Sequence, residues 1–188
     1  MGIGPDGILF LSVRRLERRM GLVDLIDSFK PVAREFPKAH LCIGGKGALA
    51  GILEERIRIH DLADRVRLLG FVSDADLPGH YTAADCTVMP STDLEGFGLS
   101  TIESLACGTP VIGSRRGATP EILEPLNGNL LFDSAAELTQ KIRVIIENRA
   151  LLPARQECRD FVLQRYTWER VITSVERICL NLPGAASP

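Results

Sequence analysis

Two glutamates, Glu95 and Glu103, stand on either side of a glycine pair in the run Ser91-Thr92-Asp93-Leu94-Glu95-Gly96-Phe97-Gly98-Leu99-Ser100-Thr101-Ile102-Glu103. The chemistry open to such a run is the binding of an anion and of hydroxyl groups. A helix that begins after Gly98 turns the backbone N–H groups of Leu99, Ser100 and Thr101 outward, and its dipole favours a phosphate there, while glycine permits close approach. A carboxylate on each side accepts hydrogen bonds from paired hydroxyls. Together these groups suit a ligand with hydroxyls on both sides of a phosphate, the layout of a nucleotide sugar. Two unrelated surface glutamates are the competing explanation, and it is weakened because Glu103 lies between Ile102 and Leu105-Ala106.

A second group of candidates is cationic. Arg14, Arg15, Arg18 and Arg19 follow the first apolar run, and arginine makes bidentate contacts to phosphate; a solvated basic loop is the alternative. Gly45-Lys46-Gly47 is either a plain tight turn or a ligand contact, and Gly45 and Gly47 rank behind the first group. Other chemistries find little support. His40, His60 and His80 lack ligand-like spacing, which disfavours a zinc site or a Ser/His/Asp triad. No Gly-x-Gly-x-x-Gly follows the first strand, which counts against a nicotinamide cofactor, and no Walker motif occurs. Cys107, at the end of a helix rather than its start, reads as packing. Trp168 with Tyr166 is expected to anchor the last helix against the core.

The elements that must position these residues alternate. Strand-like apolar runs fall at 7–13, 39–44, 66–71, 86–91, 110–114 and 129–132. Helical periods fall at 22–36, 49–62, 74–84 (with Asp74 as its cap), 98–107, 120–126, 135–164 (interrupted at Pro153) and 167–182, and Pro31 is expected to kink the first of them. This alternation predicts an α/β fold with a doubly wound, mostly parallel, six-stranded Rossmann-like sheet, and places ligands at the C-terminal ends of the strands. The 188 residues, 45% of them hydrophobic, suffice for one domain spanning 1–188 with its core at about 8–182. A net charge of −2 gives no general attraction to nucleic acid. Five widely spaced cysteines without a Cys-x-x-Cys pair suggest reduced thiols and a cytoplasmic location, and the chain carries no signal-like or spanning segment.

The order of motifs resembles the nucleotide-sugar-binding, C-terminal half of the retaining GT-B glycosyltransferases of family 4, the group 1 transferases. The Glu-x7-Glu motif of that family matches Glu95 and Glu103. Gly70-Phe71-Val72-Ser73, Tyr81-x-x-Ala84-Asp85, Pro90-Ser91, Ala106-Cys107-Gly108-Thr109-Pro110-Val111 and Pro120-Glu121 follow in the family's order. The resemblance implies that Glu103 holds ribose hydroxyls and Glu95 donor-sugar hydroxyls. The backbone of Phe97, Gly98, Leu99 and Ser100 would meet the sugar and diphosphate, and Val72 the base through its backbone. Arg15 would stabilise the leaving diphosphate together with a second cation, without a required metal or other cofactor.

The first loop departs from the family pattern. Arg14 stands where the family has glycine, and Met20 where it has the second cation, a lysine; Arg19 or Arg18 could supply that charge from a neighbouring position, the alternative being a solvated loop. The resemblance further implies a missing N-terminal, acceptor-binding domain, so that this chain is part of an enzyme transferring a sugar from a nucleoside-diphosphate sugar to an acceptor hydroxyl with retained configuration. Base, donor sugar and acceptor are left open by these residues. Peripheral membrane association of the full protein is also left open, because lipid-linked acceptors are common in the family. Two other readings stand beside this one: a non-catalytic nucleotide-sugar-binding or interaction module of the same fold, and an epimerase acting on a nucleotide sugar.

Overall fold

The computed structural model describes residues 3–4, 6–93 and 96–180. Among these residues six strands, β1 (Ile8–Val13), β2 (Ala39–Gly44), β3 (Val66–Gly70), β4 (Cys86–Met89), β5 (Val111–Ser114) and β6 (Leu131–Phe132), pair in parallel in the order β3-β2-β1-β4-β5-β6. They alternate with helices α1 (Leu22–Glu35), α2 (Ala50–Ile59), α3 (Leu77–Ala83), α4 (Leu99–Ala106) and α5 (Thr119–Asn127), after which come α6 (Ala135–Glu147), α7 (Arg155–Arg165) and α8 (Trp168–Leu180). The strand order reverses between β1 and β4, and the crevice outside their C-terminal ends is where this class of sheet takes ligands.

The strands read as apolar runs because the sheet is covered on both faces. Ile8 and Phe10 of β1 join the larger core cluster with Leu25 and Phe29 of α1, and the Phe10 and Phe29 rings meet edge to face at 6.2 Å. Leu11, the neighbouring residue, belongs to a separate cluster with Cys42, Tyr81 and Ala84. α1 turns its stripe of Leu22, Leu25, Ile26, Phe29, Val32 and Ala33 inward and runs through Pro31 without a break.

Several bounds differ from the periodicity reading. Asp76, not Asp74, precedes α3, because Ser73 is used first in a turn: its carbonyl accepts from the N–H groups of Asp76 and Leu77, and its hydroxyl donates to Asp76 Oδ2 at 2.6 Å. The helical stretch predicted at 135–164 divides before Pro153 is reached. Asn148 ends α6 and accepts through its side chain from Ala150 N–H, which opens a single 3-10 turn. The largest difference concerns Trp168. It is 78% exposed, and every residue of α8 is exposed, so Trp168 does not anchor that helix against the core. Tyr166 does pack inward, with its ring 6.0 Å from that of Phe161.

Candidate functional site

The loops leaving β1, β2 and β3 continue the strand pairing past the strand ends. Arg14 N–H donates to Gly44 O at 2.9 Å, Leu16 N–H to Lys46 O at 2.9 Å, and Gly45 N–H to Gly70 O at 2.7 Å. Glycine is required for this at position 45, where φ is +140° and an added Cβ would stand 1.8 Å from the Arg14 carbonyl oxygen. At Gly47 the added atom would stand 2.4 Å from Leu16 O. The Gly-Lys-Gly turn therefore lets the β1 loop lie directly on the β2 loop, and so fixes where the arginines after β1 begin.

These loops and the start of α4 line an open cavity of about 460 Å³, with Arg14, Arg15, Gly45, Val72, Ser100 and Glu103 in its lining. Residues distant in the chain thus meet at the C-terminal ends of β1, β2 and β3. Glu103, in the second turn of α4, presents its carboxylate there, and the buried Tyr81 hydroxyl donates to Glu103 Oε2 at 3.3 Å. Burial, and secondly the Glu103 charge, push the Tyr81 phenol well above its ordinary value, so it remains a donor at physiological pH. The cavity also takes in Lys46, Phe71 and Tyr81, which residue-type reasoning had not placed in the site. Lys46 Nζ stands 4.9 Å from the centre of the Phe71 ring, a cation–π contact joining the β2 and β3 exit loops. The only hint of Lys46 in the sequence was its place inside a turn read for its glycines.

The remaining candidates are placed as follows. Glu95 lies outside the described residues, as does Leu94. Gly98 is buried, with φ +79°, and caps α4; the Phe97 and Leu99 side chains are exposed, and the Phe97 ring meets that of Tyr166 edge to face at 6.3 Å. Thr101 N–H donates back to Gly98 O at 2.9 Å, which corrects the expectation of three outward amides and leaves Leu99 and Ser100 at the helix start. Gly47 is not part of the cavity lining.

The basic segment after β1 separates in a way the sequence did not reveal. Met20 is 6% exposed and lies in the main core, so position 20 offers no cation. Arg18 lines a different groove, of about 560 Å³, with Ile52, Glu55 and Thr92 among its neighbours. Arg19 is not in the cavity lining either; its Nε stands 3.5 Å from Glu17 Oε2 and its carbonyl accepts from Thr92 N–H. Arg15 lines the cavity with its side chain 77% exposed and 4.0 Å from Glu17 Oε1. Arg14 is only 8% exposed, so the four arginines are not a uniformly solvated loop.

Among the described residues no group of three or more His, Cys, Asp and Glu side chains could hold a metal ion, and no helix is long and apolar enough to cross a membrane.

A cavity at the switch point of a doubly wound sheet, with a carboxylate, arginines and a helix start around it, invites comparison with known proteins. The sequence profile of the family described as Glycosyl transferases group 1 matches residues 2–163. Phosphatidyl-myo-inositol mannosyltransferase of Mycobacterium tuberculosis is 28% identical over 186 residues, which cover 96% of this chain and 48% of that protein. Mannosylfructose-phosphate synthase of Agrobacterium fabrum is 37% identical over 122 residues, covering 61% of this chain and 27% of that one. Among solved structures, Anabaena HepE in complex with UDP is similar at a TM-score of 0.83 and 25% identity, covering 94% of this chain and 50% of HepE. The chain thus spans half or less of the length of each of these proteins.

Proposed function

The chain belongs to the glycosyl transferases group 1 family, and on that premise we propose that it is the donor-binding domain of a retaining glycosyltransferase. In this reading the substrate is a nucleoside-diphosphate sugar, the acceptor hydroxyl is placed by a further domain, and the reaction calls on no metal or other cofactor. The observation that carries the reading is the cavity of about 460 Å³ at the strand ends, into which α4 brings Glu103 opposite the arginines of the β1 loop.

Each group has work that its chemistry suits. The Glu103 carboxylate, oriented by Tyr81, accepts hydrogen bonds from the ribose hydroxyls. The Val72 backbone meets the base at the far end. The α4 start at Leu99 and Ser100, with Gly98 allowing close approach, meets the diphosphate, and Glu95 takes the donor sugar's hydroxyls. The glycosyl carbon exchanges its bond to the diphosphate oxygen for one to the acceptor oxygen. The bonding pair leaves with the diphosphate, which also takes the hydroxyl proton. The charge that develops there is met by Arg15 and the helix dipole, preorganised before the bond breaks.

The test is a thermal-shift panel of this chain with UDP, GDP, ADP and their sugars, repeated on Glu103→Ala. A ligand at about a hundred times its dissociation constant adds about 2.7 kcal/mol of stability. The expected outcome is a shift with one nucleotide, UDP being the first to try since the similar HepE holds it, and its loss in Glu103→Ala. No shift with any nucleotide up to millimolar concentration would overturn the reading.

A further inference from the structure

Phe97 and Tyr166 stand far apart in the sequence, yet their rings meet edge to face at 6.3 Å, with an interplanar angle of 76°. Phe97 directly precedes Gly98, the residue from which α4 starts. Tyr166 closes α7, its N–H donating to Val162 O at 2.8 Å, and its ring also packs on Phe161 at 6.0 Å. Phe161 is buried in the main core, with the Arg165 guanidinium 4.4 Å from the centre of its ring. At the other end of α7, Arg155 Nη2 donates to Ala84 O at 2.8 Å and Nη1 to Thr109 Oγ1 at 3.2 Å, just beyond the end of α4. α7 therefore lies antiparallel alongside α4, fixed to the core through Cys158, Phe161 and Val162.

The start of α4 needs such a support. Gly98 has φ +79° and no side chain with which to cap the helix, and glycine is the residue least restrained by its own backbone. On its helical side Gly98 O accepts from the N–H groups of Thr101 and Ile102, which fixes that peptide plane. On its other side the plane that carries the Gly98 N–H runs to Phe97. Phe97 is 57% exposed, so burial in the core does not hold it; the Tyr166 ring does. An edge-to-face pair is favourable beyond the area it buries, and an amide fixed before a ligand arrives loses less conformational freedom on binding it. Trp168, two positions after Tyr166, is exposed, so the inward packing of Tyr166 serves the loop before α4 rather than α8.

We infer that Tyr166 is a positioning residue of the donor site: by holding the Phe97 ring it fixes the Phe97–Gly98 peptide that leads into α4, and so sets that N–H for the diphosphate before the ligand arrives. The inference rests on the donor-site reading above and brings to it a residue from the C-terminal part of the chain.

Calorimetry on the full chain measures the affinities of UDP and uridine, with GDP and ADP and their nucleosides as parallel sets, for the unaltered protein, Tyr166→Leu, Phe97→Leu, the double variant and Tyr166→Phe. Tyr166→Leu and Phe97→Leu are each expected to weaken the diphosphate about threefold to tenfold, the range of one such ring pair, and to leave the nucleoside within about twofold, since base and ribose are met elsewhere. The double variant should lose about as much as either single one, because both remove the same contact. Tyr166→Phe keeps the ring and should bind as the unaltered chain does. A structural role alone would lower the melting temperature of Tyr166→Leu with the ratio of diphosphate to nucleoside affinity unmoved; that result overturns the inference, as does a double variant whose losses add. Should Tyr166→Leu not fold, Phe97→Leu, at its exposed position, reads the same ratio, and no change there overturns the inference equally. Failure of the unaltered chain to bind any of the nucleotides overturns the donor-site reading itself, and this inference with it.

Discussion

At the scale of single residues, three of the five cysteine thiols are silenced by burial while a buried phenol is put to use. Burial pushes the Cys42 thiol up to about 11 and the Cys158 thiol up to about 12, and raises Cys86 and the Tyr81 phenol further. These thiols are poor nucleophiles, whereas Tyr81 is kept as a hydrogen-bond donor to Glu103. The same shifts determine how stability depends on pH. The fold holds each of these groups protonated. Above the ordinary values, about 8.5 for a thiol and about 10 for a phenol, the unfolded chain therefore binds fewer protons than the native one, and stability falls as pH rises. Urea-unfolding midpoints should decline steadily from about pH 9 towards pH 11, and Tyr81→Phe should lessen the part of the decline above about pH 10. A midpoint that holds or rises across that range would contradict the burial of these groups. Gly45 illustrates a different constraint, since its missing side chain is what lets the loops bearing Arg14 and Lys46 touch.

At the scale of elements, α4 matters most, because it holds both Glu103 and the helix start that faces the cavity. What fixes it is a small polar joint inside the core. Ser104 Oγ lies 2.7 Å from Thr87 Oγ1 of β4 and donates to the carbonyl of Thr109 at 3.0 Å, and Thr109 Oγ1 donates to Tyr81 O at 2.6 Å. The joint ties α4 to the middle of the sheet and to the element that carries the Tyr81 phenol. Removing one member leaves buried partners unsatisfied, at about 1–3 kcal/mol, whereas removing both sides of a contact leaves fewer orphans. Ser104→Ala and Thr87→Val should each destabilise by about that amount, and the double variant by clearly less than the sum, as read from denaturant unfolding. Strict additivity would mean that the two hydroxyls do not interact. The helix bounds that periodicity misplaced, at Asp76 and Asn148, are both set by such side-chain-to-backbone bonds, which compete with the helix and leave no trace in hydrophobic spacing.

At the scale of the whole molecule, the described residues form one doubly wound sheet with a covered core, and α8 stands apart from it. Val171, Ile172, Val175, Ile178 and Leu180 of α8 are exposed along with Trp168, and its charged residues Glu169, Arg170, Glu176 and Arg177 are exposed as well. Trp168 is the chain's single tryptophan, which makes the arrangement directly readable. Its fluorescence should resemble that of a solvated indole and be quenched readily by iodide, with little change on unfolding. A blue-shifted, quencher-resistant spectrum would show that α8 is covered in solution.

The sequence by itself determined the fold class, because strand-length apolar runs alternating with amphipathic periods leave few arrangements other than a parallel sheet wound on both sides. It also marked Glu103, Ser100 and Gly45 as residues to watch, since glycines, helix starts and carboxylates at strand ends carry their chemistry in their type and spacing, whereas Val72 was named only by the resemblance to the family. Tertiary structure alone decided which cations share a cavity with Glu103. Four arginines within six positions look alike in the sequence. Yet a one-residue extension of β1 turns Arg14 across to Ser91, while the turn that follows packs Met20 into the core and sends Arg18 to another groove. Those outcomes depend on which strand lies next to which, and β1 and β4 become neighbours only when the sheet is assembled. The same reason hid Lys46, which meets Phe71 across a sheet order that no local pattern records. It also misplaced Trp168, since an apolar stripe on a helix states that a face can be buried but not where a partner for it stands.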